Sequence, residues 1–383
     1  MTISFISNYL IHHQVPIADE LSILLNGNFY FIETHKLDVG LKNKGYPDFS
    51  NKKYLIQAWK NEEMKKKADI INISSDVVVY GLDKDSFRYM IKRVRLNKLS
   101  FEMSERWFKR GWINLFSPRL IKNMWYYHTQ FYNKQLYKLC NGAFVAQDQR
   151  LLLSFKNKCF KWGYFTSVSD NDLNSVPKLC DTSHLVNIMW CAKFVNWKRP
   201  DLVIKMAKKL KQKGYLFKIN MYGNSIGTLK EKMIRMTYYH DVNDVVSFCG
   251  VLPNEEIRRQ MTNNDIFICT STRREGWGAV VYEAMSEACA VVSSDMAGST
   301  HVLIKDGYNG LCFKSGDIDS LTEKVEQLID NPNYRIQLSK NAYNTIKQEW
   351  SPQIAAQCFI KLAQGILNNC DININQGPCS IAY

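Results

Sequence analysis

Two glutamates, Glu275 and Glu283, bracket the turn Gly276-Trp277-Gly278 within residues 273–287. Before the turn, residues 265–271 are short, apolar and bounded by polar positions, the pattern of a buried strand; after it, residues 279–288 have helix composition. The turn therefore stands where a strand hands over to a helix in an open α/β sheet, the place where such sheets bind ligands. The first amides of a helix lack internal partners and sit at its positive end, so Gly278, Ala279 and Val280 are disposed to bind an anion such as phosphate. Glu283 lies inside the helix while Glu275 stays in the loop, so one acid can face a group held at the turn and the other a more distant one.

Cations recur upstream. Lys193 and Lys198 follow the apolar run 186–192, which reads as the first strand of a second domain, and the run 217–222 enters a turn at Gly223 and Asn224. The segment Glu-Gly-Trp-Gly-Ala-Val-Val-Tyr-Glu, 275–283, resembles the paired-glutamate motif of retaining glycosyltransferases of family 4.

That resemblance implies the α/β GT-B fold: two Rossmann-like domains facing across a cleft, with a C-terminal helix crossing back to the N-terminal domain. It implies a hexosyltransferase-type enzyme that uses a nucleotide diphosphate sugar as co-substrate, with no other cofactor and no metal. Glu275 would lie against the donor sugar, Glu283 would hold the ribose hydroxyls, and the amides of Gly276, Trp277, Gly278, Ala279 and Val280 would meet the diphosphate. Lys193 and Lys198 would contact the donor phosphates; the family has arginine at the first of these positions, so a forked contact is exchanged for a point charge. Gly223 and Asn224 resemble the nucleotide-side loop.

The remaining chain must position these groups. At 383 residues it is long enough for two cores, and 46% hydrophobic with 22% charged residues is ordinary globular composition. The reading places an N-terminal acceptor or membrane-facing domain at 1–165, a connection rich in Ser, Asp, Asn and Pro at 166–184, and the nucleotide-sugar domain at 185–350. A crossover helix at 351–367 and a loosely held tail at 368–383 complete it. Strands are expected at 3–7, 29–33, 76–80, 99–103 and 143–146 in the first domain, and at 186–192, 217–222, 245–250, 266–271 and 290–294 in the second. Residues 1–25 hold no Lys or Arg and are interrupted by Asp19-Glu20, so they read as strand and helix and not as a signal peptide. Eleven scattered cysteines without a Cys-x-x-Cys pair favour a reducing cytoplasm.

In the first domain, His12 and His13 occupy the loop after the first strand, where many family members carry glycines. Together with Glu105 they are candidate contacts to donor or acceptor. A net charge of +14 calls for an acidic partner. No nucleic-acid motif is present, and ten of the basic residues, against two acids, fall in 86–122 among bulky apolar side chains. That mixture predicts an interfacial helix on an anionic membrane. A lipid-linked glycan acceptor in surface polysaccharide biosynthesis, and a peripheral position on the inner face of the plasma membrane, follow from it. The competing readings are a sugar-nucleotide epimerase or phosphorylase on the same fold, and a non-catalytic membrane adaptor.

Overall fold

Runs that are apolar on both faces become the inner strands of parallel sheets, because helices cover each side. The computed structural model describes all residues except 39–46, 171, 172, 174, 175, 180–184 and 226. It comprises two units, Met1–Ser167 with Glu349–Tyr383, and Val168–Gln348.

The first unit holds strands β1 (Ile3–Ser7), β2 (Phe29–Glu33), β3 (Leu55–Gln57), β4 (Val77–Tyr80), β5 (Ser100–Ser104), β6 (Leu136–Asn141) and β7 (Cys159–Trp162) in the order β3-β2-β1-β4-β5-β6-β7. All six pairings are parallel. Winding reverses at β1, which pairs with both β2 and β4, so the loops after β1 and β4 flank a topological switch point. The helix Pro352–Leu367 belongs to this unit, where the Phe359 ring meets Phe5, Phe101 and Trp162 at 5.9, 5.2 and 5.6 Å.

Three expectations are corrected here. Residues 143–146 are not a strand: β6 ends at Asn141, Gly142 turns the chain at φ 123°, and the helix Val145–Arg150 begins. The tail is not loose throughout, because residues 377–380 are buried. Lys161 N donates to Ser380 O at 2.8 Å, Cys379 N to Lys161 O at 2.8 Å and Ala382 N to Cys159 O at 3.0 Å, which covers the outer edge of β7.

Nor is 86–122 one interfacial helix. It divides among the helix Lys84–Arg95, β5, a 3-10 turn at Gly111–Phe116 and the start of the helix Pro118–Tyr127. Two of its cations are internal braces. Arg93, 1% exposed, donates to the carbonyls of Asn72, Asp76 and Leu99 at 2.6, 2.9 and 3.2 Å. Arg106 forks onto Asp148 at 3.2 and 2.8 Å, and the same carboxylate accepts from Phe108 N at 3.0 Å.

The second unit repeats the pattern with β8 (Val186–Cys191), β9 (Phe217–Tyr222), β10 (Val246–Gly250), β11 (Ile266–Cys269), β12 (Ala290–Ser294) and β13 (Leu311–Phe313), in the order β10-β9-β8-β11-β12-β13. Every pairing is parallel, and β8 lies between β9 and β11 at the switch point. Much of the stretch expected as a connection, 166–184, lies outside the described residues. Of its described part, Lys178 is fastened to the second unit by bonds from Nζ to Met261 O, Asn264 O and Glu287 O at 2.8, 2.8 and 3.0 Å. Among the described residues, no helix is long and apolar enough to cross a membrane.

Removing one partner of a buried pair strands the other, which costs about 3–5 kcal/mol. Arg106→Ala should therefore lower the unfolding free energy of the full chain by that amount, whereas Lys122→Ala, on the exposed side of its helix, should change it by less than about 0.5 kcal/mol. Urea denaturation compares the two; equal effects would remove Arg106 from its bracing role.

Candidate functional site

Adjacent parallel strands deliver their C-terminal loops to one place. In the second unit these are the loop after β8, carrying Lys193 and Lys198, and the loop after β11, carrying Glu275 and the Gly276-Trp277-Gly278 turn. The two loops are laced together. Trp190 Nε1 donates to Thr270 Oγ1 at 3.0 Å, Thr270 Oγ1 donates to Lys198 O at 2.6 Å, and Thr272 N donates to Trp197 O at 2.8 Å. Arg274 stacks its guanidinium 4.9 Å from the Trp197 ring.

Lys198 Nζ consequently meets Glu275 Oε2 in an ion pair whose side chains are 17% and 14% exposed. Ser271 Oγ donates to the same carboxylate oxygen at 3.1 Å, and Glu275 N closes a turn onto Thr272 O at 2.9 Å. A mostly buried carboxylate is thus fixed at the mouth of the loop.

The turn that follows needs its glycines for different reasons. Gly278 caps the helix Ala279–Ser286 in the left-handed region at φ 92°, where a side chain would be strained. Gly298 admits the close approach of another backbone: a Cβ there would stand 1.7 Å from Gly276 O. Ser299 N donates to Trp277 O at 2.8 Å and Ser299 Oγ to Gly278 O at 3.3 Å, so the loop after β12 braces the turn from behind. Trp277 is fully buried and plugs the turn into the core. The amides of Ala279 and Val280 open the helix at its positive end.

Glu283, 3% exposed, lies on the same helix and accepts from Asn254 Nδ2 at 3.1 Å. Gly223, at φ 139°, brings the end of β9 against the β8 loop, since a Cβ there would fall 1.8 Å from Ala192 O. Asn224 O accepts from Phe194 N at 2.8 Å, completing that contact. Lys193 sits exposed in the β8 loop. The second unit therefore gathers Lys198 and Glu275 in direct contact, with Glu283 on the helix that the turn begins. Sequence reading passed over Asn254, Thr270, Ser271 and Ser299; the polar run Thr-Ser-Thr directly after an apolar strand was the available signal for two of them.

In the first unit, Glu33 at the end of β2 reaches across to hold the loop after β1, accepting from Leu10 N at 2.9 Å and from Gln57 Nε2 at 3.2 Å. Burial raises its pKa. That loop presents His12 and His13 with ring centroids 3.8 Å apart, and His13 stacks on Tyr164 at 5.5 Å. Burial lowers the His13 pKa to about 4, so its imidazole is neutral at pH 7 and can donate a hydrogen bond but not a charge. Glu105 accepts from Lys109 Nζ at 3.0 Å and from Tyr164 OH at 3.2 Å. Tyr164, not singled out from sequence, is the side chain that joins His13 to Glu105.

Residues 187–345 match the family model of glycosyl transferases group 1. An uncharacterized glycosyltransferase of Methanocaldococcus jannaschii is 26% identical over 58% of this chain and 50% of its own length. The poly(ribitol-phosphate) alpha-N-acetylglucosaminyltransferase of Staphylococcus aureus is 25% identical over 58% of this chain and 43% of its own. An N,N'-diacetylbacillosaminyl-diphospho-undecaprenol alpha-1,3-N-acetylgalactosaminyltransferase of Campylobacter jejuni is 32% identical over 30% of each chain. The chain thus spans about half the length, or less, of these curated relatives. Among solved structures, Anabaena HepE in complex with UDP superposes with a TM-score of 0.68 at 12% identity, over 96% of this chain and 99% of that one. Two parallel-sheet α/β units in this order are the GT-B fold of such structures, and the similarity to glycosyl transferases group 1 falls in the second unit.

Proposed function

We propose that this chain transfers a sugar from a nucleotide diphosphate sugar to a glycan acceptor with retention at the anomeric carbon, its donor held by the second unit. The carrying observation is the Lys198–Glu275 pair at the β8/β11 switch point, beside the start of the helix Ala279–Ser286. A cation and a set of helix-start amides in one place match the charged oxygens of such a donor's diphosphate, and the fixed carboxylate beside them matches its sugar hydroxyls.

In the proposed reaction the bond from the anomeric carbon to the diphosphate oxygen breaks, and the leaving group keeps the electron pair. Lys198, Lys193 and the amides of Gly278, Ala279 and Val280 stabilise that growing charge, and preorganised donors of this kind are usually the largest catalytic term. The acceptor hydroxyl oxygen bonds to the anomeric carbon from the side the diphosphate leaves, and its proton passes to a diphosphate oxygen. Glu275 orients the sugar hydroxyls, held by Ser271. Glu283, held by Asn254, accepts from the ribose hydroxyls.

Solved structures of similar fold support the donor class: HepE was determined with UDP and with UDP-glucose. The Campylobacter relative is named for a diphospho-undecaprenol acceptor, which supports a lipid-linked acceptor and polysaccharide assembly here. A peripheral membrane position draws support from the first unit. Trp112, Phe116 and Trp125 are 66, 75 and 56% exposed, on two short helical segments, with the exposed cations Arg119 and Lys122 on the second and Arg110 just before the first. Exposed aromatics beside cations suit an anionic interface.

Glu275→Gln should slow transfer by about 10²–10³-fold, the range for loss of one preorganised polar contact, while changing UDP affinity little. Glu283→Ala should weaken UDP binding first, and NMR of the product should find the donor's anomeric configuration kept. Turnover of both variants within about threefold of the parent, or an inverted linkage, would overturn the site or the stereochemistry respectively.

Vesicle flotation tests the membrane position. Binding to phosphatidylglycerol vesicles should weaken as salt rises and fall in Lys122→Glu and Trp112→Ala, with little binding to phosphatidylcholine alone. Equal binding to both lipids would contradict it.

A further inference from the structure

The first unit contains a cavity of about 590 Å³ between the start of the helix Lys84–Arg95 and the helix Pro118–Tyr127. Its wall is aromatic on one side, where Phe87, Trp107 and Tyr127 line it and the Phe87 and Tyr127 rings stack at 4.2 Å. Leu82, Leu120 and Asn123 line it too, and its charged lining is mostly cationic. Lys84, Arg106, Lys109 and Arg119 line it against the single acid Asp83.

That acid is already committed. Asp83 caps the helix through Asp85 N and Ser86 N at 3.0 and 2.9 Å and accepts from Thr34 Oγ1 at 3.3 Å. Lys109 is paired with Glu105. Lys84 and Arg119, both exposed, pair with no acid among the described residues. Arg106, 3% exposed, uses Nε and Nη2 on Asp148, which leaves its buried Nη1 with no hydrogen-bond partner among the described residues. A buried guanidinium donor left unmade is costly, and native structures rarely leave one so without a ligand or water to complete it.

The larger cavity along the same helix, about 800 Å³, has one cation without an acid partner among the described residues, the exposed Arg95, and no buried guanidinium nitrogen left unpartnered. Its Lys65, Lys92 and Arg88 are balanced by Glu62, Asp69 and Asp85 in ion pairs of 3.2, 2.8 and 2.9 Å.

We propose that the smaller cavity is an anion site for the phosphate of the acceptor, with the acceptor's apolar carrier resting on the aromatic wall. The word acceptor rests on the glycosyltransferase reading above; the anion chemistry rests on the unbalanced cations and the unpartnered Arg106 nitrogen. One spare guanidinium nitrogen and two unpaired cations suit a phosphate group, which offers several acceptor oxygens at once.

Calorimetric titration of the full chain with farnesyl phosphate, farnesol and inorganic phosphate tests this. Farnesyl phosphate should bind at least about tenfold more tightly than either of the others. Arg119→Glu and Lys84→Glu, both at exposed positions, should each weaken it by about tenfold, some 1.4 kcal/mol, while Lys198→Ala leaves it unchanged. Farnesol binding as well as farnesyl phosphate would overturn the anion site. Inorganic phosphate binding as well would overturn the carrier-borne acceptor, and loss in Lys198→Ala but not in Arg119→Glu would place the phosphate in the second unit instead. UDP titrated into the same variants reports separately on the donor reading, since the two cavity substitutions should leave it intact.

Discussion

The lacing of the β8 loop to the β11 loop is the constraint on which the proposed chemistry depends. Thr270 accepts from Trp190 and donates to the Lys198 carbonyl, so one hydroxyl at the end of β11 ties the core of β8 to the backbone of the lysine. Both bonds are buried or nearly so, where losing either would strand polar groups away from water. The Lys198–Glu275 pair is then a consequence of strand order, because only neighbouring strands can bring those two loops within reach. The glycines at 278 and 298 serve the same end by letting backbones turn or touch where a side chain would not fit.

Charge plays two separate roles in this chain. In the second unit, Lys198 is held near a carboxylate at a helix start, where a single point charge can shift between partners as a ligand arrives. In the first unit much of the basic character is structural: Arg93 is consumed by carbonyls, Arg106 by Asp148, and Lys138 by the Glu102 carboxylate and Ser104 at 2.6 Å. Exposed cations such as Lys84, Arg95, Arg110, Arg119 and Lys122, with the one spare nitrogen of Arg106, remain for an outside partner.

The second unit was readable from sequence because its strands are short runs, apolar as at 266–269 or alternating as at 217–222, each followed by polar or turn residues. The first unit was less so, and β6 explains why. Its sequence Leu-Tyr-Lys-Leu-Cys-Asn places Lys138 mid-strand, and a lysine is ordinarily exposed, yet here it lies opposite Cys159 and beside Glu102 with no exposed surface. A buried pair formed across 36 residues leaves no local periodicity. β3, three residues long, offers too little pattern, and the tail docks through backbone bonds that composition does not encode. Glu275, Glu283 and the turn between them were legible because their spacing is local. Asn254 and Ser299, which hold them, come from distant elements and were not.

A crystal structure of the full chain with UDP would test the central claim most directly. The diphosphate should lie within hydrogen-bond reach of the Gly278, Ala279 and Val280 amides and of Lys198 Nζ, with the ribose hydroxyls on Glu283. A diphosphate bound away from that helix start, or a ribose with no contact to Glu283, would contradict the account.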